Sequence, residues 1–240
     1  MTYRAVFERV EIKYLLTAKE RQAVLEAMEG HMLLDRYGRT EIRNIYFDSP
    51  VFLLARRSND KPFYKEKLRV RSYGPASLES DVFVELKKKY DGIVYKRRMT
   101  LPYDRAMGWL CNGEDPGKRS QIRNEIDYML TRYGDLAPAM FLRYERMAYL
   151  SLDGSDFRLT MDDGVRARFD DFDLCGPSHG GDVLPEGRTL MELKIPRAIP
   201  KWLVDTMTEY GIYKESFSKY GSAYKQFVLG IPVHSDRPDA

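Results

Sequence analysis

Cysteine, histidine and tryptophan are scarce in this chain, and each shortage removes a chemistry. The only two cysteines, Cys111 and Cys175, stand far apart in 240 residues and form no CxxC pair. A disulfide scaffold or a cysteine-ligated zinc site is not expected, and a reducing, cytoplasmic setting is. The three histidines, His31, His179 and His234, fall in a helix end, a glycine-rich loop and the tail, so none is assigned to catalysis. Trp109 and Trp202 lie in helical stretches and read as packing anchors rather than base-stacking platforms. Long apolar runs are missing too: nothing approaches the ~18 residues of a membrane span. Charge interrupts the opening MTYRAVFERVEIKY before any apolar core develops, so it does not read as a signal peptide. A soluble protein is expected, with a membrane-bound partner left open. Finally, no bulk excess of one charge exists. Thirty-nine basic against 36 acidic residues leave a net charge of +3, so a basic footprint must come from local arrangement. That weakens a nucleic-acid reading.

What is present suits one domain over residues 1–230 with a loose tail at 231–240. Hydrophobic residues at 43% provide a core. Phe7–Leu16 alternates as a strand, and Thr17 with Glu20 forms a capping box that opens a helix through about Leu34. Strand patterns follow at Thr40–Phe47, Pro62–Tyr73, Asp81–Lys89, Ile93–Leu101, Ala139–Leu152, Phe157–Phe169 and Thr189–Ile195. Helical stretches are expected after Pro50, at Tyr103–Cys111, Ser120–Tyr133 and Pro200–Tyr210, and from Ser218 to about Leu229. Gly176–Gly187 is the most loop-like segment.

Charge follows strand parity. In KEKLRVRSY, Lys67, Arg69 and Arg71 share one face and Leu68 and Val70 the other. Arg9, Glu11 and Lys13 share a face against Val10 and Ile12; Glu85, Lys87 and Lys89 oppose Val84 and Leu86. Lys96 pairs in parity with Arg98, Arg158 with Asp162, and Glu192 with Lys194. On a single strand this is the wet face of an antiparallel sheet. Six strands with the same habit favour an α+β fold built on an eight-stranded antiparallel β-barrel, with a charged lumen and helices packed outside. Cations gathered in such a lumen repel, and burying them unpaired is costly, so a polyanion is expected. Three cations about 7 Å apart along one strand could meet successive phosphoryl groups. Carboxylates among them commonly hold Mn²⁺ or Mg²⁺ together with phosphate oxygens, which makes Glu192, Glu85 and Glu11 metal candidates. The bland alternative for each is a salt bridge inside the lumen.

The motifs ERVEIKY, NIYFD, KLRVRSY, VELKKKYDGIVYKRR, RYERMAY, RLTMDDGVRAR, MELK and FSKYGSAY occur in order along nearly the whole chain. On these the chain resembles the VTC domain, the polyphosphate polymerase branch of the triphosphate tunnel metalloenzymes. The resemblance implies a tunnel that binds ATP, polyphosphate or orthophosphate and a divalent metal. It carries phosphate contacts onto Lys13, Arg69, Arg71, Lys87, Arg143 and Lys219, adds Lys96, Arg98 and Arg158, and makes Glu192 the metal-binding glutamate. Arg9, Lys67 and Lys194 join the substrate-binding set on parity. One departure is informative: the hydrolytic CYTH relatives begin Glu-x-Glu-x-Lys, whereas Arg9 stands at the first position here. That favours polymerisation over hydrolysis of a small triphosphate. The rivals are a triphosphatase on the same scaffold and a non-catalytic polyphosphate-binding module.

Overall fold

Side-chain alternation settles which side of the sheet is wet, and the wet side turns inward. A computed structural model describes residues 10–233, apart from 61, 92, 118 and 197. The predicted Arg9, His234 and most of the tail lie outside the described residues. In chain order the elements are β1 (Val10–Leu16), α1 (Ala18–Ala27), β2 (Met32–Asp48), α2 (Leu53–Asp60), β3 (Tyr64–Tyr73), β4 (Asp81–Tyr90) and β5 (Ile93–Pro102). Then come α3 (Tyr103–Asn112), α4 (Gln121–Tyr133), β6 (Ala137–Ser151), β7 (Arg158–Arg168), β8 (Gly181–Asp182), β9 (Thr189–Ile195), α5 (Lys201–Glu209) and α6 (Lys219–Phe227).

Eight strands pair antiparallel in the order β1-β9-β7-β6-β2-β3-β4-β5, and the two-residue β8 adds to β7. The polar faces of these strands point to a common channel. Their apolar faces point outward and are buried by helices. Leu68, Val70, Val84, Leu86 and Met99 join Trp109 of α3 and Ile126 and Met129 of α4 in one cluster. Tyr14, Leu16, Leu159, Met161, Met191 and Leu193 meet Val24 of α1 and Leu203 and Met207 of α5 in a second. Burial of this kind contributes roughly 25 cal/mol per Å² of apolar surface. It drives the helices onto the outside of the sheet.

Two expectations are corrected. The first helix ends at Ala27 instead of about Leu34, because Gly30 takes φ +74° and the chain re-enters as a 17-residue strand at Met32. The capping box at its start is as expected: the Thr17 side chain accepts from the Glu20 N–H at 3.2 Å, and Glu20 Oε2 accepts from the Thr17 N–H at 2.8 Å. The barrel is also not closed by backbone pairing. Among the described residues no ladder joins the edge strands β1 and β5. Side chains and a loop cover that seam. Lys87 of β4 reaches Glu11 of β1 at 3.2 Å, and the Glu215 N–H donates to the Lys13 carbonyl at 2.8 Å.

Candidate active site

The channel has two chemically different parts. The first is built from arginine. Arg69 and Arg71 project from β3, Arg98 from β5 and Arg146 from β6. Glu85 on β4 is 1% exposed and holds three of them: Arg69 at 2.6 Å, Arg98 at 2.5 Å and Arg71 at 3.8 Å, with Lys96 at 2.7 Å. Burial alone would raise the Glu85 carboxyl, but Arg69, Arg71 and Lys96 hold it well below the usual carboxylate range. Neutral groups fix the forks further. Arg69 donates to the Tyr46 hydroxyl at 2.9 Å, and Arg71 to Asn44 Oδ1 at 2.9 Å and the Tyr144 hydroxyl at 3.0 Å. These guanidinium groups are therefore oriented before any ligand arrives.

Asp162 on β7 plays a similar part. It takes both ends of the Arg146 fork at 2.6 and 2.7 Å and Lys219 Nζ at 2.5 Å. Burial disfavours its charge, yet Lys219 and Arg146 hold its pKa well below normal. Lys219 is the first residue of α6, so this contact ties the last helix to the barrel. The neighbouring contacts do the same. Lys13 Nζ donates to the Phe217 carbonyl, Lys67 Nζ donates to the Ser218 hydroxyl, and Tyr220 stacks on Tyr46 while donating to the buried Asp48. Four successive residues thus meet four strands, and α6 closes that end of the channel.

The second part is built from lysine. A cavity of about 1480 Å³ opens between β1, β3, β4, β5 and the segment before α6. Lys13, Lys65, Lys67, Lys87, Lys89, Lys96, Lys214 and Lys225 line it against Glu11, Asp91 and Glu215. Eight cations facing three carboxylates leave a strongly positive wall. Burial pushes Lys67 well below an ordinary lysine, and Lys13 and Lys87 add to the effect. Burial also lowers Lys13, partly offset by Glu192. It brings Lys96 down to about 8 despite Glu85. An anion in the cavity would relieve all three.

Comparison with known proteins agrees with this geometry. The VTC domain model matches residues 8–228, almost the whole chain. The chain belongs to the VTC domain family. Among solved structures it resembles a candidate adenylyl cyclase from Hippeastrum with a dominant triphosphatase activity, at 17% identity and a TM-score of 0.56, covering 94% of this chain and 97% of that one. A candidate adenylate cyclase from Bacillus halodurans aligns at 14% identity and a TM-score of 0.54, covering 88% and 93%. These likenesses show a shared fold. No curated protein matches the sequence.

Within this VTC domain, most of the expected residues meet. Lys13, Lys67, Arg69, Arg71, Lys87, Lys96, Arg98 and Lys219 share the channel with Glu85 and Glu192, and Arg158 and Lys194 pair across strands at its β7–β9 rim. Arg143 does not join them. It lies directly opposite Arg43, on the outer side of the sheet, and sits 3.6 Å from Glu145. Arg43 there donates to the Leu174 and Gly176 carbonyls of an outside loop. Residues three apart on a strand face opposite ways, and Arg146 holds the channel position. The resemblance carried the contact onto Arg143, and parity gave no check because Met140 and Leu142, which share the Arg146 face, are apolar. They pack in the cluster that includes Tyr220 and Tyr224 of α6. Asp162, open in the sequence between orienting a channel cation and ending an element, orients Arg146 and Lys219, while Tyr144 and Asn44 lie in RYERMAY and NIYFD without being singled out there.

The three metal candidates differ in availability. Both oxygens of Glu85 are taken by cations, and exposed Glu11 sits on the seam with Lys87. Among the described residues Glu192 forms an ion pair with Lys13 alone, at 3.8 Å. Burial opposes its charge, but Lys13, Lys219, Arg146 and Lys194 bring its pKa from 4.5 to about 2, so it is an open carboxylate at neutral pH. Directly opposite on β7, the buried Thr160 hydroxyl has no hydrogen-bond partner among the described residues. Among the described residues no three His, Cys, Asp or Glu side chains cluster as an all-protein cage. One carboxylate with free oxygens fits a hard cation that shares its remaining ligands with phosphate and water.

Proposed function

We propose that this VTC domain is a polyphosphate polymerase. It transfers the terminal phosphoryl group of ATP to a phosphate or to the end of a growing polyphosphate chain. The observation that carries this reading is the lysine cavity of about 1480 Å³ beside the arginine cluster. Sites for compact ligands occupy roughly 300–1,000 Å³. A larger, open, lysine-lined space adjoining a fixed arginine site suits a linear polyanion that must be gripped at one end and slide along the other.

The residues divide by chemistry. Arg69, Arg71 and Arg146 offer planar forks that bind phosphoryl oxygens in fixed directions. Lys13 and Lys219 add charge beside Glu192. Glu192 would hold Mn²⁺ or Mg²⁺, which when bound neutralises charge that develops on the phosphate oxygens. The acceptor is already an anion, so no general base is required, and catalysis is positioning and charge stabilisation. Lys65, Lys67, Lys87, Lys89 and Lys96 bind as point charges with little directional demand, which lets a chain of identical phosphates shift register. Arg98 spans the two parts through Glu85.

The rival reading is a triphosphatase, and the activity of the Hippeastrum neighbour raises it. In that reading water replaces phosphate as acceptor. Two of three candidate carboxylates are occupied by cations, which leaves little to activate a water and favours the anionic acceptor. Incubation with ATP and Mn²⁺, resolving long-chain polyphosphate from orthophosphate, separates the readings. Polymer that disappears in Glu192→Ala is expected. Orthophosphate alone would move the assignment to a triphosphatase, and tight polyphosphate binding without turnover would leave a binding module.

A further inference from the structure

The channel wall beside Glu192 contains an unsatisfied polar group. One cross-strand row on the channel face reads Ala148, Thr160, Glu192 and Lys13, on β6, β7, β9 and β1. The adjoining row carries Arg146 and Asp162, whose charges saturate each other and Lys219. Thr160 is 4% exposed, and its hydroxyl is buried without a hydrogen-bond partner. Buried hydroxyls are normally paired, because one left alone has lost its water and gained nothing. Valine would fill the same shape on a strand without that penalty. Glu192, its direct cross-strand neighbour, has free oxygens as well. Directly opposed residues on one face lie about 5 Å apart at Cβ. A carboxylate and a hydroxyl, both short of partners, therefore face the same small volume.

A hydrated divalent cation would satisfy the two together. Such an ion keeps several waters when few protein oxygens hold it, and those waters need acceptors. We propose that Thr160 is a positioning residue for the cation: its hydroxyl accepts a hydrogen bond from a metal-bound water beside Glu192. The inference rests on the reading that Glu192 binds the metal. Partners at this remove from a metal commonly alter its affinity 10- to 100-fold, so about tenfold is expected.

The test is Mn²⁺ binding to the full chain without nucleotide, which would itself chelate the ion, followed by loss of the free-ion EPR signal. Thr160→Val should weaken Mn²⁺ about tenfold, and Thr160→Ser should restore it to within twofold of wild type. Without metal, Thr160→Val should unfold at an equal or slightly higher temperature, which guards against a folding defect. Its affinity for polyphosphate in EDTA should not change. Mn²⁺ affinity unchanged in Thr160→Val but lost in Glu192→Gln would overturn the role of Thr160 and keep the metal reading. Wild-type affinity in both variants would overturn the metal reading itself, and Thr160 with it. Weaker metal-free polyphosphate binding with unchanged Mn²⁺ affinity would make Thr160 a phosphate ligand instead.

Discussion

The arginine part and the lysine part of the channel carry the same sign of charge and solve its cost differently. Around Glu85 and Asp162 six cations share two buried carboxylates, which fork and fix them without neutralising them. Around the cavity eight lysines outnumber three carboxylates, Lys13 and Lys87 meet carboxylates by longer, looser contacts, and burial weakens lysine protonation. The first arrangement pre-organises a geometry, which is what a transition state needs. The second stores a demand for anions without prescribing where each must sit. A single channel can then hold one phosphoryl group firmly and a chain of them loosely.

The largest effect should come from breaking the part held by buried carboxylates. Glu85→Ala leaves Arg69, Arg98 and Lys96 facing one another in a partly buried space. Removing one partner of a buried ion pair costs on the order of 3–5 kcal/mol. Urea unfolding should show a loss of that order, and a loss under about 1 kcal/mol would mean the cluster does not depend on its glutamate. Next, Arg71→Ala and Arg146→Ala should each lower kcat about 10²- to 10³-fold in a folded protein. Circular dichroism checks the fold and ATP turnover checks the rate. Wild-type turnover in either variant would remove that residue from the site.

The lysine part should respond more gently, to pH and salt. Burial brings Lys96 from an ordinary 10.5 down to about 8 and lowers Lys13 and Lys67 too. Each is charged below its folded pKa and neutral above it, so polyphosphate affinity should fall as pH rises past about 8. Fluorescence titration at pH 7 and pH 9 should show a several-fold loss, steeper at low salt. Affinity independent of pH over that span would contradict the lysine assignment. The carboxylates give the opposite window. The folded pKa of Glu192 lies below its ordinary 4.5, so its stabilising contribution is full above about pH 4.5 and is lost as pH falls toward 2. The smallest effect is expected from Arg143→Ala. Its side chain is on the outer face, so turnover should stay within about threefold, against the large loss in Arg146→Ala.

That pair of arginines marks the limit of what the sequence reveals. The alternation of KLRVRSY and VELKKK is enough to find the charged face of β3 and β4, because from Lys67 to Arg71 and from Glu85 to Lys89 every position on that face is charged. On β6 the channel face reads Met140, Leu142, Tyr144, Arg146, and its first half is apolar because it meets α6 and not the ligand. Nothing local distinguishes it from a core face. The open seam was equally hidden, since a missing ladder between β1 and β5 depends on how eight strands curve, not on any one of them. Glu85 and Glu192 look alike in sequence; only their neighbours make one a counter-ion and the other an open ligand.

The division of labour is tested most directly by measuring product length and ATP turnover together in a Lys65→Ala, Lys87→Ala, Lys89→Ala triple variant. The account predicts that turnover falls only a few-fold while the polyphosphate made becomes markedly shorter, because the grip on the chain is weakened and the chemistry is not. Product of wild-type length, with turnover lost, would contradict it and place the chemistry in the lysine part.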